Sequence, residues 1–389
     1  MNAGRLVFAQ LLDLLPMHEF NRCVRRYRGN FHCRNFSCYD QFLCLAFAQL
    51  TYRESLRDIE TCLRAMESKL YHAGLCGHVA RTTLARANER RDWRIYADFG
   101  QVLIARARKL YAREPFGVEL DQTAYVFDAT TIDLCLSLFP WAHFRRRKGA
   151  IKFHTLLDLR GSIPCFVLVS HGKFNDMEAL DYLPIEPAAF YIMDRGYTDF
   201  ARLFRFTQNA AFFVIRARRS LDFRCTRSQP VDKSIGLRCD QVIRLSGRKS
   251  SQLYPAMLRR IRYIDPETAK RLVFLTNNFT LDALTVARLY HSRWQVELFF
   301  KWIKQHLRIK AFYGTSVNAV KTQIWTAVSI YLLVAILKKE LGIERSQSEI
   351  LQILSLTLFE KSPILQVLAH YAPPGQEGTA HKQLSLFTF

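Results

Sequence analysis

Two kinds of hydrophobic spacing divide the chain. Up to about residue 115, apolar positions recur at three- and four-residue intervals, the period of amphipathic helices. One helix is predicted from Asp40, with a break near Thr51 to Arg53 and a second helix running to about Leu63. Thr82 or Thr83 is placed to cap a short helix that carries Arg86, Arg90 and Arg91 on its exposed side. A longer helix follows, with Ile95, Phe99, Val102, Leu103 and Leu110 turned inward. From about residue 120 the pattern changes to short apolar or alternating runs, rich in aromatic and β-branched residues. AYVFDATTIDL, AIKFHTLLDL, SIPCFVLVS, AAFYIMDRG and AFFVIRAR all read as strands. Helices are expected between them at Asp176 to Tyr182 and Thr198 to Gln208. Residues 217–271 are basic, turn-rich and weakly alternating, which predicts a β-rich insertion, and RLVFLTNN returns to the main sheet. Long helices are predicted over 281–309 and 317–340. Ser346 and Glu349 then form a capping-box pattern, and a polar tail begins at Ala372.

This order predicts a mixed α/β fold in three parts: a helical region 1–115, an α/β region 116–340 interrupted at about 217–271, and a C-terminal helix and tail 341–389.

Composition narrows the function. The 389 residues are 49% hydrophobic, enough for a sizeable core, and this excludes global disorder. The formal charge of +22 points to a polyanionic partner, nucleic acid before an anionic membrane surface. The first twenty residues lack the pattern of a secretion signal. Ile324 to Leu337, the longest apolar stretch, is short for a bilayer span and reads as a buried helix. A bacterial cytoplasmic location at the nucleoid, with no membrane role, is therefore expected. The ten cysteines contain no CxxC pair and read as reduced thiols. The basic short helix near residue 86 fits a helix-turn-helix DNA reader and fits equally a plain bundle with a solvated face.

Acidic residues are few, so their positions inform. Asp128 and Asp194 each end an apolar strand, where an unpaired carboxylate is costly to bury. Each could cap a turn; both could converge on one cation. A sharper pattern lies in YHSRWQVELFFKWIKQHL. At about 100° per residue, Tyr290, Arg293, Glu297, Lys301 and Lys304 fall within a strip about 80° wide, beside an apolar stripe of Leu289, Val296, Phe300, Ile303 and Leu307. Asp128, Asp194 and Glu297 form a set of hard oxygen donors suited to Mg²⁺ or Mn²⁺. Two such ions catalyse phosphodiester cleavage and strand transfer. The bases on the same strip are placed to hold backbone phosphates. Trp294 is a candidate for stacking on a displaced base, and Trp302 for core packing. Lys152 and His154 alternate on one strand and face the same way, near the candidate site. Arg195 and Arg218 follow strand ends and face the substrate. Asp133 and Asp176 are spare carboxylates, His171 reads as structural, and the run Arg145 to Lys148 as a basic loop.

At these residues the chain resembles a family. Tyr290-x2-Arg293-x3-Glu297-x6-Lys304 is similar to the YREK signature of bacterial DDE transposases of the insertion-sequence-four family. DATTI at 128–132 and DRGY at 194–197 resemble that family's two aspartate motifs, and KGAIKFHTLLD and GTSVNAVKTQIW extend the likeness. The resemblance implies a ribonuclease-H-like catalytic core, a β-rich insertion between the second Asp and the Glu, and a leading helical DNA-binding domain. It implies cut-and-paste transposition: metal-dependent cleavage at terminal inverted repeats and strand transfer into target DNA, by a homodimer on paired ends. Carried over, Asp128, Asp194 and Glu297 are metal ligands, and Tyr290, Arg293 and Lys304 contact phosphate near the cut. Some relatives stack a base on a Trp in the insertion. Residues 217–271 contain none, leaving Phe223, Tyr254 or Tyr263 for that role in any hairpin step. A catalytically silent DNA-binding descendant of a transposase is the alternative, and a two-metal nuclease without strand transfer a third reading.

Overall fold

The computed structural model describes residues 4–369 except 76, 146–147, 219, 267 and 307–311. The tail from Ala372, Leu307, and Arg146 and Arg147 of the basic run therefore lie outside the described residues. Ten strands occur among the described residues: β1 (Ala124–Leu134), β2 (His143–Arg145), β3 (Lys148–Asp158), β4 (Ile163–His171), β5 (Phe190–Met193), β6 (Phe212–Arg216), β7 (Phe223–Gln229), β8 (Leu237–Leu245), β9 (Leu258–Ile264) and β10 (Arg271–Thr276). All belong to one sheet.

One half runs β4-β3-β1-β5-β6. β3 is antiparallel to both β1 and β4, while β5 is parallel to β1 and β6 is parallel to β5. Three antiparallel strands followed by two parallel ones make the ribonuclease-H-like core. Alternation decides which side chains meet. Val126, Ile192 and Val214 are register partners in β1, β5 and β6, so two residues further on Asp128, Asp194 and Arg216 come level on the same face. The helices Ala283–His291 and Trp294–His306 pack on that face, with Phe153 of β3 meeting Phe299 and Phe300 at ring separations of 6.5 and 6.2 Å. The opposite face buries Tyr125, Phe127, Tyr191, Met193 and Phe213 with Leu203 and Phe206 of the helix Phe200–Gln208.

The β-rich stretch is not a separate small sheet. β10 returns antiparallel beside β6, and β9, β8 and β7 add themselves in turn beyond it, extending the core sheet at that edge. A buried pair stitches the extension: Arg259 gives two bonds to the Asp240 carboxylate, at 2.8 and 2.7 Å.

The predicted helix 281–309 is two helices. Asp282 caps the first through the amides of Leu284 and Thr285, and the chain turns at Ser292–Arg293 before the second begins at Trp294. There the bonds shorten to three-residue steps, Arg293 N to Tyr290 O and Val296 N to Arg293 O, which tightens the turn and re-aims the second helix. The expected cap of the basic short helix also differs. Arg81–Arg90 begins after Ala80 without a side-chain cap, leaving Thr82 and Thr83 inside its first turn. Asp176–Tyr182 is a 3₁₀ helix. The other caps occur as spaced: Ser37 and Asp40 form a capping box for Cys38–Leu50, and Ser346 and Glu349 one for Gln347–Thr357. Each such cap contributes about 1 kcal/mol.

The helical region and the sheet share one apolar core. Val317–Glu340 is long and apolar enough to cross a membrane by length and composition, yet it is buried within the protein. The helices Cys38–Leu50, Arg81–Arg90 and Arg94–Tyr111 pack around it. Gly100 makes the closest approach possible, because a Cβ there would meet the Trp325 ring at 2.8 Å. Tyr111 donates to the Ala335 carbonyl at 2.9 Å, and Tyr331 to that of Ser162 at 2.8 Å, linking this helix to Arg94–Tyr111 and to the β3–β4 turn. The nine described cysteines are all free thiols.

Candidate active site

The strand ends deliver two carboxylates. Asp128 projects from β1 toward the helix Trp294–His306, and Asp194 follows β5, where its Oδ1 accepts the Gly196 amide at 2.6 Å. A side chain at residue 196 would crowd that carboxylate at 2.8 Å, so the glycine keeps the turn tight. The helix delivers the third. Arg293, at the turn between the two helices, reaches Asp128 Oδ2 at 3.1 Å with Nη1 and Glu297 Oε1 at 2.6 Å with Nη2. One guanidinium thus bridges a strand carboxylate and a helix carboxylate. Glu297 itself is exposed.

Burial pushes the Asp128 carboxyl up to about 6; the Ala129 amide and Arg293 pull it down, and Asp194 and Glu297 push it up. Tyr197 packs its ring on Phe127 at 5.1 Å. Burial, then the charges of Asp128, Asp176 and Asp194, hold its hydroxyl well above the ordinary phenol range. Tyr290 is half-buried against Phe274 at 4.8 Å, and burial raises its hydroxyl too. Lys304 donates to Thr130 Oγ1 at 2.5 Å and to the Thr131 carbonyl at 3.0 Å, clamping the helix to β1. Asp128, Thr130, Glu297, Lys301 and Lys304 line a cleft of about 430 Å³.

Several candidates lie elsewhere. Lys152 and His154 face the same way, as predicted, but on the side of the sheet opposite Asp128. Thr155, not His154, is the register partner of Asp128, so Lys152 and His154 are one residue out of phase. There Lys152 bonds the Phe174 carbonyl at 2.7 Å and Asp176 at 3.0 Å, and buried His154 meets Ser170 at 2.9 Å. Trp294 is 45% exposed and lines a separate groove with Leu298, Phe116 and Tyr331. Trp302 packs edge-on to Tyr331 at 4.6 Å. Arg195 and Arg218 are exposed, as is Lys301. Arg216 was not anticipated. It ends β6 level with the two aspartates, and its charge acts on Tyr290. Its signal, an arginine directly after the apolar run Ala211 to Ile215, is indistinguishable in sequence from a solvated strand end.

The donor chemistry fits a divalent cation. The three carboxylates are hard oxygen ligands, one is desolvated, and a guanidinium already stands as a cation between two of them. Among the described residues no three acidic, histidine or cysteine side chains are gathered closely enough to hold an ion, and Arg293 stands between Asp128 and Glu297.

Comparison with known proteins gives the chain's family. The transposase DDE domain family matches residues 119–333, and a domain of unknown function matches residues 3–76. The chain belongs to the DDE transposase family. It is 31% identical over 259 residues to a putative transposase of Sinorhizobium fredii, covering 65% of this chain and 70% of that one. It is 22% identical over 339 residues to a putative insertion-sequence transposase of Synechocystis, covering 83% and 90%. A cryo-EM structure of the piggyBac transposase synaptic complex with hairpin DNA aligns with a TM-score of 0.44 at 11% identity, over 94% of this chain and 84% of that one. As a family member the protein is a DNA transposase of the insertion-sequence type.

Proposed function

We propose that this chain cuts DNA at the ends of its own element and joins them to target DNA, with Asp128, Asp194 and Glu297 holding two Mg²⁺ or Mn²⁺ ions. The observation that carries the reading is the level placement of Asp128 and Asp194 on one sheet face, with Glu297 tied to Asp128 through Arg293. The ions, when bound, activate the attacking oxygen and stabilise the departing one. The chain's own part is positioning. Asp128 and Asp194 are fixed by strand ends and backbone amides. Arg293 now bonds both Asp128 and Glu297; were Glu297 to hold a metal instead, that guanidinium arm would be available to a phosphate oxygen. Tyr290 and Lys304 flank the same path, and Lys304 also keeps the helix against β1. The need to cut two ends together favours a homodimer on paired terminal inverted repeats, and a DNA substrate in a bacterium favours action at the nucleoid.

Purified protein incubated with labelled DNA carrying the element's ends tests this. Cuts at the tips with Mg²⁺ or Mn²⁺, lost with EDTA and lost in Glu297→Gln, are expected. Specific binding with no cleavage under any metal, by folded protein, would instead favour a silent DNA-binding descendant. Hairpin products would show that the reaction passes through that step although residues 217–271 contain no tryptophan.

A further inference from the structure

The outer edge of the sheet carries a rank of arginines. Arg224 of β7 and Arg244 of β8 are direct cross-strand partners. Arg227 pairs with Val242, two residues from Arg244, after a one-residue bulge at Thr226. All three are exposed. Among the described residues no acidic side chain pairs with them. Like charges set directly opposite on a sheet oppose each other, so this placement weakens the edge unless an anion lies across it.

Alternation decides which face they use. Leu245 and Ile243 turn to the core on the side away from the carboxylates, with Tyr254 and Leu258. Arg244, Val242 and Asp240 therefore face the other way, the face that holds Phe274, Tyr290 and the catalytic row. Arg224 and Arg227 share that face through their register partners.

We infer that Arg224, Arg227 and Arg244 bind the phosphodiester backbone of duplex DNA that extends beyond the cleavage site. This rests on the proposed activity and adds a contact to it. β8 and β7 lie five and six strands from β1. At about 4.8 Å per strand that is roughly 24–29 Å, or some seven to nine base pairs at about 3.4 Å each. The sheet's twist turns the face by about 20° per strand, so the arginines meet the duplex from its flank. Exposed Arg288 and His291, on the helix Ala283–His291, lie along the way.

The test uses the full chain and three glutamine substitutions, R224Q, R227Q and R244Q, singly and together. With a duplex of the element's end that continues well past the cut, the triple variant should bind about 10- to 100-fold more weakly, and its salt slope should fall by roughly two to three. With a duplex truncated about five base pairs from the cut, wild type and variant should bind and cleave alike. R244Q alone should raise the melting temperature by about a degree, because it relieves the facing charges. Equal binding of the long duplex by wild type and triple variant would overturn the inference. So would a melting temperature several degrees lower, which would make the arginines structural. Wild-type protein that bound neither duplex would overturn the transposase reading as well.

Discussion

Asp128 and Asp240 lie in the same row of one sheet, five strands apart, and each meets an arginine. At Asp240 the meeting is closed. Arg259 gives two bonds, both side chains are about 95% shielded (5% and 6% exposed), and a further guanidinium bond goes to the Leu281 carbonyl. At Asp128 it is open. Arg293 gives one bond, spends its other arm on an exposed glutamate, and leaves a cleft beside the pair. A buried charge whose partner saturates it serves the fold, whereas a desolvated carboxylate that its partner satisfies only in part keeps an affinity for something more. On the proposed reading, the same residue types on the same scaffold divide between stability and chemistry by how completely each is paired.

The sharpest way to break this contrast is to remove the carboxylate on the open side. Asp128→Ala should lower cleavage by about a thousandfold or more while DNA binding and melting temperature stay near wild type, read by gel cleavage, filter binding and thermal melting. Retained cleavage would take Asp128 out of the chemistry.

Removing the arginine on the closed side should do the reverse. Arg259→Ala strands Asp240 and should cost about 3–5 kcal/mol of stability, read as the urea midpoint. A variant as stable as wild type would show that the pair is solvated in solution.

Lys304→Ala is intermediate. It loses the bonds to Thr130 and Thr131 and a base beside the cleft, so a 10- to 100-fold loss of cleavage is expected, with a smaller loss of stability. A variant that unfolds outright would make the clamp structural.

The smallest effect is in pH. Asp128 sits at about 6 against an ordinary 3.8. Between those values the folded chain binds the proton more tightly than the unfolded chain. Its contribution to stability therefore falls as pH rises from about 4 through about 6 and is level above. Cleavage runs the other way and drops as pH falls, because a protonated carboxyl is a poor ligand and the proton competes with the metal. Paired melting and cleavage profiles check both signs, and Asp128→Asn should erase the inflection in stability. A melting temperature that climbs with pH across that window in wild type, and not in Asp128→Asn, would contradict the burial argument.

What the sequence made legible follows from what is local. The strands of the half that carries Asp128 and Asp194 are short apolar or alternating runs, and the two aspartates each interrupt an apolar run, so both elements and carboxylates could be read directly. Glu297 and Arg293 are four apart, within one turn's reach whatever surrounds them. Relations between segments were harder. Placing Lys152 beside the site assumed a phase between β1 and β3, and one residue of register reverses the face. Treating 281–309 as one helix carried the angular strip through Ser292–Arg293, where the chain turns instead. The union of β7–β9 with the main sheet depends on β10 inserting beside β6, which no local pattern encodes. Arg216 shares the catalytic row only because three parallel strands happen to be in step.

The burial of Val317–Glu340 among helices from the first hundred residues also sets a schedule for the making of the protein. Those early helices leave the ribosome some two hundred residues before the segment that fills the space between them. Until it arrives they have an incomplete interior and apolar surfaces facing water, the condition that favours association with other chains. A chain whose synthesis stops before residue 317 is therefore expected to aggregate more readily than the full chain. Final closure, delayed to the last part of synthesis, ties the appearance of any DNA-handling surface on the helical side to completion of the catalytic side.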